Sequence, residues 1–263
     1  MPKGTVKKTF DKKVKEIVQM ELAEELEHKI AIVEYPNQNP NREIPSGDVS
    51  TSSNVFKLMA PINQSDTGEA GAKYNMRIGN QINLKSLDID GFVSYRYPQV
   101  DSGLAYQDAK LAVRIMIVRA KQYNDVGKAF SAMPTNVLIN NGSLVSSHVG
   151  PYGGYTMDSF REINRDAFAV RYDKVHYLNA PVEIPGISNP DYSQIPSGLK
   201  IFKKRLVFGK NGLKLTFSNQ LDTDAENFPY FLLVGYSSMS GINRPSNGLV
   251  DLSITCTAKY TDA

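Results

Sequence analysis

Along the C-terminal segment, Val250, Leu252, Ile254, Cys256, Ala258 and Tyr260 alternate with Asp251, Ser253, Thr255, Thr257 and Lys259. A two-residue period puts one set on a buried face and the other in solvent, which predicts a half-buried antiparallel strand. Comparable runs occur at Val55 to Met59, Ile82 to Tyr97, Leu111 to Arg119, Phe168 to Leu178, Ile201 to Phe208, Leu213 to Phe217 and Pro229 to Tyr236, eight strands with the last. Within Ile82 to Tyr97 the apolar parity shifts from Ile82 and Leu84 to Leu87, Ile89, Val93 and Tyr95, so a bulge is expected at Lys85-Ser86. Asn211-Gly212, set between two apolar runs, predicts a hairpin that makes its flanking strands antiparallel neighbours. No helix of regular length alternates with the strands, which excludes a βαβ pattern and predicts an all-β sandwich or barrel. The longest connection, Lys121 to Asp166, holds a predicted short helix at Thr156 to Asn164 with Thr156 as its cap.

The N-terminal part follows another rhythm. Phe10 to Val33 contains no Gly or Pro, and Val14, Val18, Leu22, Leu26 and Ile30 recur every four residues, which predicts a helix whose apolar stripe winds slowly around it. The segment from Tyr35 to Ser53, rich in Pro, Asn and Ser, predicts a linker. The expected organisation is therefore a partly helical arm at 1–34, a linker at 35–53 and a folded body at 54–263.

Charge sharpens that division. Lys3, Lys7, Lys8, Lys12, Lys13 and Lys15 stand against Asp11 alone, a net +5, whereas the whole chain carries +3, which leaves −2 for the remainder. Glu16, Glu21, Glu24, Glu25 and Glu27 follow directly, so the sign reverses within one segment. A molecule-wide charge this small does not mark a nucleic-acid binder, and any polyanion must be met by a local patch such as the arm. With 263 residues and 41% apolar content the chain has ample material for a packed core. Its longest apolar runs, Tyr230 to Val234 and Ile115 to Val118, fall far short of the roughly 20 residues of a membrane-spanning helix. The first residues lack the apolar stretch of a secretion signal, and the lone Cys256 has no partner for an internal disulfide.

The sequence offers little for catalysis. His28, His148 and His176 form no HxH or HExxH pair, so neither a zinc site nor the clustered histidines of a cupin enzyme is expected. No GxSxG elbow, Walker loop or dinucleotide fingerprint occurs, and Gly150-Pro-Tyr-Gly-Gly154 reads as a turn. Asp222, Asp224 and Glu226 are spaced like oxygen ligands for calcium but lack the glycine and distal glutamate of an EF-hand, so an acidic loop is the favoured reading. The expected activity is not enzymatic, and no cofactor is expected. Cations do recur in the strands, at Arg77, Arg96, Arg114, Arg119, Lys121, Arg171 and Lys174 and in the run Lys203-Lys204-Arg205. Three consecutive cations in a strand cannot all face a core, so Lys203, Lys204 and Arg205 join the six arm lysines as candidate nucleic-acid contacts.

Arg77-Ile-Gly79 followed by Asn80 to Val93 resembles the early long strand of single jelly-roll capsid proteins from circular, Rep-encoding single-stranded DNA viruses, circovirus-like in type. Val113 to Arg119, Phe168 to Lys174 and Tyr230 to Tyr236 resemble the D, E and H strands that follow, and the likeness covers most of residues 54 to 262. The resemblance implies two four-stranded sheets, BIDG and CHEF, and self-assembly into an icosahedral shell of about sixty copies. It further implies packaging of single-stranded nucleic acid, most simply DNA, in a virion assembled in the host nucleus or cytoplasm, with no membrane insertion. One departure stands out, because such arms are often rich in arginine and here the first arginine is Arg42. The competing expectation is a non-viral β-sandwich that binds a ligand through its 121–166 loop and forms a small oligomer.

Overall fold

The structure, a computed structural model, describes residues 13–14, 28–64, 75–96, 105–134, 136–139, 149–180, 198–240 and 243–262. Its strands are β1 (His28–Gln38), β2 (Val55–Lys57), β3 (Gln81–Tyr95), β4 (Lys110–Ala120), β5 (Leu138–Ile139), β6 (Val149–Gly150), β7 (Phe168–Asn179), β8 (Leu199–Val207), β9 (Leu213–Thr216), β10 (Tyr230–Ser238) and β11 (Val250–Asp262). One sheet runs β1-β11-β3-β8, with β9 also on β3, and the second runs β2-β10-β4-β7, every pairing antiparallel. Lettered B to I in chain order, with β8 and β9 together as G and the short β5–β6 pair aside, these orders are BIDG and CHEF. The fold is a jelly-roll β-sandwich.

The strand β1 corrects the expected N-terminal architecture. Residues 28–33 are not the end of a helix, and 35–38 are not linker; both belong to a strand antiparallel to β11, from His28 opposite Thr261 to Gln38 opposite Leu252, with a register shift after Tyr35. The rest of the predicted linker is also bound to the body. Ile44 and Val49 are buried, and Asn54 Nδ2 donates to the carbonyls of Asn41 (2.6 Å) and Val234 (2.8 Å). The body therefore starts no later than His28. Counting from β1 moves the letters too: Val113 to Arg119 lies in E instead of D, Phe168 to Lys174 lies in F instead of E, and Tyr230 to Tyr236 is H as expected.

The parity shift at Lys85-Ser86 is a bulge. Lys259 pairs with Ser86 and Tyr260 with Leu84, which leaves Lys85 without an opposite residue on β11. The same point divides the other edge of β3, where β8 pairs with Ser86 to Ser94 and β9 with Gln81 to Leu84. The expected hairpin at Asn211-Gly212 is thus overturned: β8 and β9 are both antiparallel to β3 and run end to end, with 208–212 looping out beside the bulge. Gly212 has φ +78°, and an added Cβ would lie 2.8 Å from the Leu84 carbonyl oxygen, so the turn glycine serves an interrupted strand.

The second sheet is covered on both faces. On the side away from the first sheet, Ile44 N–H donates to Tyr152 O (3.1 Å), Val49 N–H to Phe130 O (3.0 Å) and Gly47 N–H to Met133 O (2.9 Å), so the 39–50 segment and the long connection form a joint outer layer. Phe130, in the short helix α1 (Val126–Ser131), stacks on Phe231 at 5.7 Å. Every residue of β10 is consequently buried. Within that layer the predicted helix is a 3-10 turn at Thr156–Ser159 with Tyr155 at the cap position. Asp158 accepts from the N–H groups of Gly153 (2.9 Å) and Tyr155 (3.0 Å), while the Thr156 hydroxyl donates to Ser238 O (2.8 Å). Among the described residues no layer covers the outer face of the first sheet, where Ile32, Ile201 and Val207 are 56%, 66% and 68% exposed.

Candidate nucleic-acid interface

Strand parity separates the basic run of β8. Phe202 and Leu206 point into the sandwich, so Lys203 and Arg205 point out, and Lys204 shares the inward parity while remaining half-exposed at the sheet edge. The two outward cations stand opposite carboxylates. Lys203 pairs across the ladder with Asp90 and its Nζ lies 3.4 Å from Oδ1; Arg205 pairs with Asp88 at 3.2 Å, and Lys259 reaches Asp88 from β11 at 3.2 Å. Such exposed cross-strand pairs contribute roughly 0.2–1 kcal/mol each and leave little charge for a phosphate. Of the arm lysines, Lys13 is described and exposed, while Lys3, Lys7, Lys8, Lys12 and Lys15 lie outside the described residues.

Two other arginines are internal. Arg77 is fully buried, and its guanidinium donates to Gln64 Oε1 (3.0 Å), Gly79 O (2.6 Å), Asn80 Oδ1 (3.0 Å), Asn219 O (2.7 Å) and Asp222 O (2.9 Å) while lying 4.3 Å from the centre of the Phe217 ring. It clasps the 64, 77–80 and 219–222 segments together. Arg114 is held between Asp173 and the carbonyls of Asp158 and Arg161. Neither is available to a partner.

The acidic loop does not converge on a cation site. Asp222 accepts from Asn219 Nδ2 (3.0 Å), Asp224 meets Lys57 Nζ (2.7 Å), and Glu226 accepts from the Ser218 hydroxyl. Among the described residues no three His, Cys, Asp or Glu side chains gather as a metal site would require. Cys256 lies inside the sheet, where burial pushes its thiol up to about 12, the behaviour of a small packing residue.

The cation cluster that sequence reading missed lies where the free edges of β7 and β8 meet. His176 on β7 packs against Phe202 on β8 with ring centres 6.3 Å apart. Lys174 shares the His176 side of β7, and Lys200 and Lys204 flank Phe202 on its side of β8. Burial first, and then Lys174 and Lys200, hold the His176 imidazole below its ordinary value. Tyr172 continues the same face of β7, half-buried. The signal was present as alternate-residue spacing on each strand, but only the meeting of two edges distant in sequence joins the halves.

No protein-family model matches the chain, and no curated protein matches it. Solved structures that resemble it include the unassembled VP1 pentamer of Merkel cell polyomavirus (11% identity, TM-score 0.26, covering 89% of this chain and 96% of that one), the unassembled VP1 pentamer of KI polyomavirus (9%, 0.24, 89% and 95%), and VP1 of trichodysplasia spinulosa-associated polyomavirus in complex with sialylated precision glycooligomers (8%, 0.24, 89% and 96%). At these scores the superpositions equate no individual residues, and the fold assignment rests on the chain's own strand order.

Proposed function

We propose that this chain is a capsid subunit whose activity is assembly rather than turnover, forming a closed icosahedral shell of about sixty copies around a single-stranded nucleic acid. The observation that carries the reading is the strand order, β1-β11-β3-β8 against β2-β10-β4-β7, an architecture used by viral capsid domains and also by lectins and cupins. Two features favour the capsid among these. Among the described residues one sheet face is uncovered and carries exposed Ile30, Ile32, Phe92, Ile201 and Val207 between charged positions, a surface suited to burial against copies. The +5 arm precedes the edge strand β1 and supplies phosphate contacts that do not read sequence. The circular, Rep-encoding DNA virus type, the DNA genome and the virion location extend the same proposal from the sequence resemblance.

Electron microscopy and light scattering of the purified full chain test it. Closed particles with a mass on the order of a megadalton are expected. A stable small oligomer at every salt and protein concentration overturns the proposal in favour of a ligand-binding sandwich.

A further inference from the structure

Most cations of the folded body are already engaged by the chain's own acids or carbonyls. Lys29 pairs with Asp262, Lys57 with Asp224, Arg114 with Asp173, Lys203 with Asp90, and Arg205 and Lys259 with Asp88. Several described cations form no ion pair, and of these Lys174, Lys200 and Lys204 line one seam where β7 and β8 meet.

We propose that this seam binds the phosphate backbone of a single-stranded nucleic acid, a site that rests on the packaging reading and is separate from both the arm and the ion pairs of Lys203 and Arg205. Two sides of the seam present charge over an apolar floor. Phe202 and the imidazole of His176 form that floor, and His176 is buried with Nε2 lacking a hydrogen-bond partner. Low polarity beneath the lysines strengthens their attraction for an anion lying above them. Among the described residues no carboxylate pairs with these lysines, and Lys174 and Lys200 lie close enough to add to the effect of burial on His176. Lys200 and Lys204 are separated by about 13 Å along an extended strand, the length of roughly four stacked nucleotides. Tyr172, two residues before Lys174 on the same side, is half-buried against the core and offers the exposed part of its ring to a base. An extended polyanion with planar groups fits this combination better than an acidic peptide does.

The test compares the full-length chain with the triple variant Lys174→Gln, Lys200→Gln, Lys204→Gln and with the charge-keeping variant in which the same positions become Arg. Binding of a fluorescent thirty-nucleotide oligo(dT) is measured across a sodium chloride series, with thermal unfolding confirming that each variant folds. Losing three phosphate contacts is expected to reduce the slope of log K against log salt by about 2, while the arginine variant keeps the full slope. An unchanged slope in the glutamine variant overturns the proposal. Preference for a heparin oligosaccharide over oligo(dT) at equal charge also overturns it, in favour of a glycan site. Microscopy of the same samples separates the two readings: shells without a change of slope defeat only the seam, and a change of slope without shells defeats only the capsid.

Discussion

Arg114 and Asp173 form a two-pronged ion pair between β4 and β7, with Nε to Oδ1 at 2.8 Å and Nη2 to Oδ2 at 2.6 Å, while Nη1 donates to the carbonyls of Asp158 (2.7 Å) and Arg161 (2.6 Å). One buried guanidinium thereby ties the outer layer to the second sheet. Asp173→Asn leaves that charge without its counter-ion and should destabilise the fold by roughly 2–4 kcal/mol, less than a fully buried pair because Asp173 is partly exposed. Urea denaturation checks this, and a midpoint within error of the parent contradicts it.

The boundary of the folded body is testable by truncation. Deleting residues 2–15 removes six lysines without touching β1, so thermal unfolding should match the parent while nucleic-acid packaging falls. Deleting residues 2–38 strips β1 from β11 and bares the edge of a long strand, so the product should be insoluble or unfolded. Packaging that survives the shorter deletion with the same salt dependence would remove the arm from the mechanism.

Gly235 marks the closest approach of the outer layer. An added Cβ would lie 2.6 Å from Tyr152 Cε1 and 3.1 Å from Ile44 Cγ1, so Gly235→Ala should cost about 1–3 kcal/mol through overpacking. Combining it with Tyr152→Leu should recover part of that loss. Additive losses in a double-mutant cycle would mean that the two residues do not meet.

His176 gives the seam an acid limit. Burial, Lys174 and Lys200 lower its proton affinity in the folded state, so the unfolded chain takes up the proton first as pH falls below the ordinary value of 6.5. The stability that neutral His176 contributes is present above that value and is lost as pH drops through the lower, folded one. His176→Gln should flatten the change in urea midpoint between pH 7.5 and pH 5. An identical slope in parent and variant would remove His176 as its cause.

Legibility varied with how far each strand obeyed the period-two rule. In β11 every inward position from Val250 to Tyr260 is apolar or small, and its boundaries were readable to within two residues. In β3 the same rule exposed even the bulge at Lys85, because a slip in register must show as a slip in parity. The rule failed at β1, whose buried positions include Lys29 and Ala31 while Ile30 and Ile32 face outward, the reverse of the expected polarity. Lys29 is tolerated inside because Asp262 meets it at 2.5 Å, a partner 233 residues away. The fourfold spacing that ends at Ile30 therefore looked helical although its last residue belongs to a strand. The eight-strand total concealed two errors that cancelled, β1 omitted and the interrupted strand β8–β9 counted twice.

Residue order alone determined the β class, most strand positions, the charge reversal near the start and the structural character of Cys256, because each depends on side-chain type and spacing within a few neighbours. Tertiary structure decided which cations remain available. Lys203 and Arg205 are offset by Asp90 and Asp88 on an adjacent strand, Arg77 and Arg114 vanish into carbonyl clasps, and Lys174 joins Lys200 and Lys204 at the seam of β7 and β8. Electrostatic pairing acts over ångströms in space, and only the folded sandwich places β7 against β8 and β3 against both halves of G.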